Sequence, residues 1–159
     1  MKKTIAAMAV LALAGTAMAD NFSYTDMNNQ GSWDRPIGVG PSISGLGPVM
    51  YHVYSWVSSG GVHDITSVQD YDGYIHLYEG SFDPLDQLTG LVAADDDGAG
   101  GIGTSEILGF NLNAGSTYFL VTSGFAAGDE GTFTNRVTPA PASMALLGLG
   151  GLVATRRRR

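Results

Sequence analysis

The stretch GYIHLYEG, residues 73–80, alternates aromatic or ionisable side chains with aliphatic ones. Successive side chains of an extended strand point to opposite faces. One face would therefore carry Tyr74, His76 and Tyr78, and the other would carry Ile75 and Leu77. Aromatic and branched aliphatic residues are typical of sheets, so we predict a β-strand here.

Comparable strand signals recur along the chain, with turn residues between them and no amphipathic helix of useful length. The other predicted strands are residues 22–25, 49–57, 62–68, 88–94, 105–112, 117–122 and 131–137. Short strands at this spacing predict an all-β, antiparallel β-sandwich. The glycine-rich segment 28–48 is predicted to be an irregular loop that wraps one end of the sandwich.

Residues 1–19 have the layout of a secretory signal. Two lysines precede a short apolar run at 5–15, and the small residues Ala17 and Ala19 form a cleavage motif. We therefore expect an N-terminal signal helix, cleavage before Asp20, and export of the protein.

The C-terminal residues 138–159 have a three-part layout. Pro139 and Pro141 precede an apolar run at 142–154, which is shorter than the about 20 residues of a usual membrane helix. Arginine resists translocation, so we expect a short apolar membrane helix with the body outside. The basic cluster after the run is Arg156, Arg157, Arg158 and Arg159.

This tail resembles the PEP-CTERM sorting signal of bacterial exported proteins, although Ala140 stands where the family name implies Glu. The resemblance implies processing at the cell envelope by an exosortase, a membrane protease-transpeptidase. An exosortase-type enzyme and the membrane are therefore the expected partners of residues 138–159.

The body, residues 20–137, is strongly acidic. It holds all fifteen acidic residues but only Arg35 and Arg136 of the eight basic ones, so its net charge is −13. This charge argues against nucleic acid and anionic membrane surfaces as partners, and it favours divalent cations or simple solubility. The chain has no cysteine, so disulfides cannot stabilise the body.

Four stretches of the body are similar to the bacterial pre-peptidase C-terminal domain. They are YDGYIHLYEGSFDP (71–84), LVAADDDGAGG (91–101), LNAGSTYFLVTSG (112–124) and GTFT (131–134). The resemblance implies one β-sandwich domain of jelly-roll type over residues 20–137. Members of that family are accessory modules, often attached to secreted peptidases, and some bind calcium. This chain carries no peptidase domain.

Residues 95–97 are three adjacent aspartates, and the glycine-rich stretch 98–103 follows them. An EF-hand needs acidic residues at its first and last positions, where Ala93 and Thr104 stand, so that motif is excluded. Calcium accepts carboxylate and carbonyl oxygens in other geometries, and adjacent carboxylates repel unless they are solvated or bridged by a cation.

In a strand, Asp95 and Asp97 would face one side and Asp96 the other. The family resemblance adds Asp72 as a further ligand. Two interpretations stay open: a calcium site, or a solvated acidic turn that keeps a sheet edge soluble. The candidate metal ligands are Asp72, Asp95, Asp96 and Asp97.

Trp56, Tyr74 and Tyr78 could form a sugar-stacking platform for an extracellular polysaccharide, although such residues are more often core. The chain lacks a nucleophile elbow, a phosphate loop and a zinc-protease helix. His63 and Asp64 are adjacent and could be interpreted as a catalytic dyad. A role of Asp64 in a local turn is the simpler interpretation.

We therefore expect a non-catalytic cell-envelope or extracellular-matrix protein with a structural or adhesive role. The alternatives are a carbohydrate-binding module and, less favoured, a small secreted hydrolase.

Overall fold

The computed structural model describes residues 19–141, and every regular element in this part is a β-strand. The strands are β1 (Phe22–Met27), β2 (Gly31–Trp33), β3 (Val49–Val57), β4 (Gly61–Gln69), β5 (Gly73–Glu79), β6 (Leu91–Asp95), β7 (Thr104–Leu112), β8 (Thr117–Gly124) and β9 (Thr132–Pro139).

The strands form two antiparallel sheets. A four-stranded sheet has the order β1-β9-β4-β7, and a five-stranded sheet has the order β2-β3-β8-β5-β6. The prediction of an all-β, antiparallel protein is confirmed. The expected signal helix and the apolar tail helix fall mainly on residues outside the described range.

The main hydrophobic core lies between the two sheets. Ile75 and Leu77 of β5 are fully buried there, so the alternation of residues 73–80 correctly placed them on one inward face. They pack with Ala93, Tyr118 and Leu120 of their own sheet and with Ile65, Ile107, Leu112 and Val137 of the other.

The outer face of β5 is buried as well. Tyr78 joins a second cluster with Trp33, Val49 and Val121, and Phe82 packs against it. This burial follows from segment 28–48, which was predicted to wrap one end of the sandwich. The segment instead contains β2 and crosses the outer face, where the Pro36 carbonyl contacts His76 Nε2 at 3.1 Å.

Most predicted strands differ from the observed ones by one to three residues at one or both ends, and two of these differences have a local cause. β6 begins at Leu91 rather than at residue 88, because Gly90 makes a turn with φ 79°. β9 continues through Pro139, two residues past the predicted domain end at 137. The pairing of β9 with β1 reaches only to Val137, so residues 138–139 of β9 are paired with β4 on one side and unpaired on the other. A strand tolerates proline at such an edge.

The loops that join the sheets lie at two opposite ends. The loop end contains residues 70–72, 96–103 and 125–131, which connect one sheet to the other. The terminal end contains turns 58–60 and 113–116.

Both chain termini of the described part lie at the terminal end. The Asp20 carboxylate accepts hydrogen bonds from Ser58 Oγ at 2.6 Å and Ser59 Oγ at 3.0 Å. The Ala140 amide donates to the Val62 carbonyl at 2.9 Å. The segments that precede and follow the body therefore both join it opposite the loop end.

Replacing Leu77 with Ala should lower the free energy of unfolding by about 2–5 kcal/mol, because it leaves a cavity in the inter-sheet core. Leu85→Ala removes the same atoms from a side chain that is 88% exposed and should change stability by no more than about 0.5 kcal/mol. Urea unfolding measures both, and equal losses would contradict the assigned core.

Candidate metal centre

Three carboxylates converge at the loop end. Asp72 directly precedes β5 and Asp96 directly follows β6, and these neighbouring antiparallel strands pair Ile75 with Asp95. One carboxylate oxygen each from Asp72, Asp96 and Asp97 lies within 4.8 Å of the other two. Asp72 and Asp96 are half-buried and Asp97 is exposed.

Asp95 does not join this group, although the sequence placed it among the candidate ligands. Its Oδ2 accepts a hydrogen bond from the Glu106 amide at 2.6 Å, which ties β6 to β7. The strand ends at Asp95, so two-residue alternation does not continue through the next two aspartates. Asp96 and Asp97 can therefore share a side, whereas strict alternation had separated them.

The backbone of residues 96–103 is held by its own hydrogen bonds. The Gly98 amide donates to the Thr104 carbonyl at 2.7 Å, and Ser105 Oγ donates to the Asp96 carbonyl at 2.7 Å. Gly103 has φ 85°, and an added Cβ would lie 2.9 Å from the Gln69 carbonyl oxygen. Asp96 Oδ1 is buried and has no hydrogen-bond donor among the described residues.

The converging carboxylates disfavour each other's ionisation. Burial, followed by repulsion from Asp97, raises the pKa of Asp96 to about 6, and the nearby charge of Arg35 only partly offsets this. Burial and repulsion from Asp129 and Asp97 also raise the pKa of Asp72. A bound cation would relieve this repulsion.

Arg35 is a buried cation beside the carboxylates, with only 2% of its surface exposed. Its guanidinium lies over the rings of Tyr74, at 4.5 Å, and Phe125, at 4.6 Å. Nε donates to the Phe125 carbonyl at 2.8 Å and Nη1 to the Pro36 carbonyl at 3.2 Å.

Within residues 19–141, Arg35 has no carboxylate partner at ion-pair distance. The one contact at such a distance in this range joins His52 Nε2 to Asp26 Oδ2 at 3.1 Å, and burial lowers the pKa of His52, which favours a neutral hydrogen bond. Arg35 was not predicted as a site residue, although it is one of only two basic residues in the body.

A cavity of about 450 Å³, within the size range of small-molecule sites, has Asp96 in its wall. Asp96 belongs to both features, so a ligand in the cavity and an ion at the carboxylates would be neighbours. The side chains that line the cavity include Arg35, Ile37, Leu46, Tyr74, Asp96 and Phe125.

The three candidate sugar-stacking residues do not share an exposed surface. Tyr78 is fully buried, and its hydroxyl donates to the Gln87 carbonyl at 2.6 Å. Tyr74 is 6% exposed and stacks on His76 with ring centroids 4.5 Å apart. Trp56 is half-buried, packs against the inter-sheet core and donates from Nε1 to Asp20.

His63 and Asp64 do not form a dyad. As neighbours on β4 they point to opposite faces. His63 is 1% exposed with Nδ1 at 2.9 Å from the Gly61 carbonyl, whereas Asp64 Oδ1 accepts from the Gly109 amide at 2.8 Å.

The expected processing residues lie at or beyond the edges of the described range. Ala19 is the first described residue, and Pro139 and Pro141 are near its end. Ala17 and Arg156, Arg157, Arg158 and Arg159 lie outside it. Between residues 19 and 141 there is no helix with the length and apolar character needed to cross a membrane.

Comparison with protein-family models, curated proteins and solved structures found no match for this chain. The geometry of the loop end is therefore the basis for any functional assignment.

Replacing Asp96 with Asn should stabilise the calcium-free protein at pH 7.5. The pKa of Asp96 in the folded protein is about 6, above its ordinary value of 3.8. The stability linked to its protonation is therefore present in full below about pH 4 and is lost as pH rises through 6. The advantage of the Asn variant should shrink as pH falls from 7.5 to 4.

Thermal melts of both proteins across this pH range measure the effect. Asp86→Asn, at an exposed site in the loop between β5 and β6, makes the same charge change and is the control. A difference between wild type and Asp96→Asn that does not vary with pH would contradict the raised pKa of Asp96.

Proposed function

We propose that the protein is an exported, non-catalytic cell-envelope or extracellular-matrix protein with a structural or adhesive role, whose loop end is organised by calcium. The convergence of Asp72, Asp96 and Asp97 carries the proposal, since their oxygens lie within 4.8 Å of one another.

Calcium suits this group for chemical reasons. It is a hard cation that takes six to eight oxygen ligands and tolerates irregular geometry. Three carboxylates supply charge, and the glycine-rich backbone after Asp97 can supply carbonyls. Burial and repulsion between carboxylates raise the pKa values of Asp72 and Asp96, and a bound cation would relieve the repulsion.

We assign the body to the jelly-roll type of β-sandwich. The order β1-β9-β4-β7 in one sheet and β3-β8-β5-β6 in the other supports this assignment, with β2 as an additional edge strand. Jelly rolls are double-sheet folds of eight strands built from two Greek keys. The pre-peptidase C-terminal resemblance implies the same type.

The positions of the two termini of the described range support a defined orientation of the body relative to the membrane. Asp20 and Ala140 both lie at the terminal end, so the expected signal and the sorting segment 138–159 join the body there. A body tethered through residues 138–159, before exosortase-type processing, would present its loop end away from the membrane.

Calcium should raise the melting temperature of the purified protein, because it binds the folded loop end and not the unfolded chain. At a free concentration about 100-fold above its Kd, the stabilisation would be ~2.7 kcal/mol. Asp96→Ala and Asp97→Ala should abolish the rise, whereas Asp86→Asn should keep it. Identical melting curves in calcium and in chelator would refute the site.

Replacing the four C-terminal arginines with serine should alter membrane retention and processing, because the cluster is expected to stop translocation. Cell fractionation with mass measurement of the mature protein reports both. Arg136→Ser, an exposed change within the body, should leave both unchanged. Normal processing of the tail variant would count against the sorting assignment.

A further inference from the structure

The cavity at the loop end combines a buried cation with an aliphatic rim. Arg35, from segment 28–48, and Asp96, one of the three converging aspartates, both line the cavity. Ile37 and Leu46 also line it and are 55% and 46% exposed. Neither the calcium site nor the packing of β5 requires these two exposed aliphatic side chains.

The opposite charges near Arg35 are the carboxylates of Asp72, Asp96 and Asp129, none of which lies at ion-pair distance. Its hydrogen-bond acceptors are the neutral carbonyls of Pro36 and Phe125. A guanidinium has five N–H donors and matches carboxylates in a planar fork. When calcium balances the nearby carboxylates, the buried charge of Arg35 is left without an opposite partner, which is costly, so an anionic ligand group would be stabilised beside it.

The nearby aromatic rings are already engaged, which restricts the rest of the ligand. Arg35 covers Tyr74 and Phe125, and His76 stacks on Tyr74. A sugar ring that stacked on Tyr74 would therefore compete with Arg35 and His76. The accessible apolar surface comes from Ile37 and Leu46, so it fits an aliphatic group.

We propose that this cavity binds a carboxylate carried on a short aliphatic group, with the carboxylate placed between Arg35 and a calcium ion held by Asp72, Asp96 and Asp97. The proposal rests on the calcium site, because without the ion the three carboxylates would repel an anion. Calcium and ligand should therefore strengthen each other's binding, by about tenfold for a typical coupling.

The test titrates the purified full-length protein with 4-methylpentanoate by calorimetry, in calcium and in chelator. Binding of 4-methylpentanoate should be about tenfold weaker in chelator than in calcium, and a calcium titration should show the same tenfold tightening when 4-methylpentanoate is present. If calcium alone fails to raise the melting temperature, the proposed function fails. If calcium stabilises the protein but 4-methylpentanoate does not bind, only this inference is overturned.

Variants separate the cavity from the metal site. Leu46→Glu places a carboxylate on the exposed rim, so it should weaken 4-methylpentanoate binding at least tenfold while the calcium-induced rise in melting temperature persists. Leu85→Glu makes the same change at an exposed position between β5 and β6 and should bind normally. Arg35→Gln should also abolish binding. Unchanged affinity in Leu46→Glu would refute the assigned cavity.

The source of the carboxylate is distinguished by a tripeptide that ends in leucine. Tighter binding of this peptide than of 4-methylpentanoate, lost when its C-terminus is amidated, would assign the cavity to peptide C-termini. Tighter binding of 4-methylpentanoate would assign it to free small acids. Calcium-dependent binding of a polyuronate alone would overturn the aliphatic assignment.

Discussion

Burial of β5 on both faces is the constraint on which the rest of the structure depends. Its inward face forms the inter-sheet core through Ile75 and Leu77. Its outward face carries Tyr74, His76 and Tyr78, which are also buried and need a cover. A chain without cysteine obtains that cover by packing alone, from the segment that follows β2. The same packing brings Arg35 over Tyr74 and so forms one wall of the cavity.

The positions at which the strands end determine which side chains meet at the loop end. Because β5 and β6 are neighbours, the residue before one and the residues after the other meet at the same edge of the sheet. Those residues are Asp72, Asp96 and Asp97, and Arg35 stands beside them. The loop end therefore holds three carboxylates and one guanidinium close together, in a body with a net charge of −13. Asp20 and Ala140, near the two ends of the described range, lie at the other end of the body.

Local patterns predicted the strands well, because alternation and turn chemistry are encoded within a few residues. The two faces of residues 73–80 and the acidic stretch near residue 96 were both identified from them. The two-sided burial of β5 was not, since its cover comes from residues such as Pro36, about forty positions earlier. The grouping of Asp96 with Asp97 depended on where β6 stops, and the role of Arg35 depended on tertiary contacts with Phe125.

A crystal structure of the protein grown with calcium would test the metal site at the loop end. We expect an anomalous peak among Asp72, Asp96 and Asp97, with carboxylate oxygens at about 2.3–2.6 Å and Asp95 still bonded to the Glu106 amide. An ion-free loop end at saturating calcium, with the three carboxylates pointing apart into solvent, would contradict it.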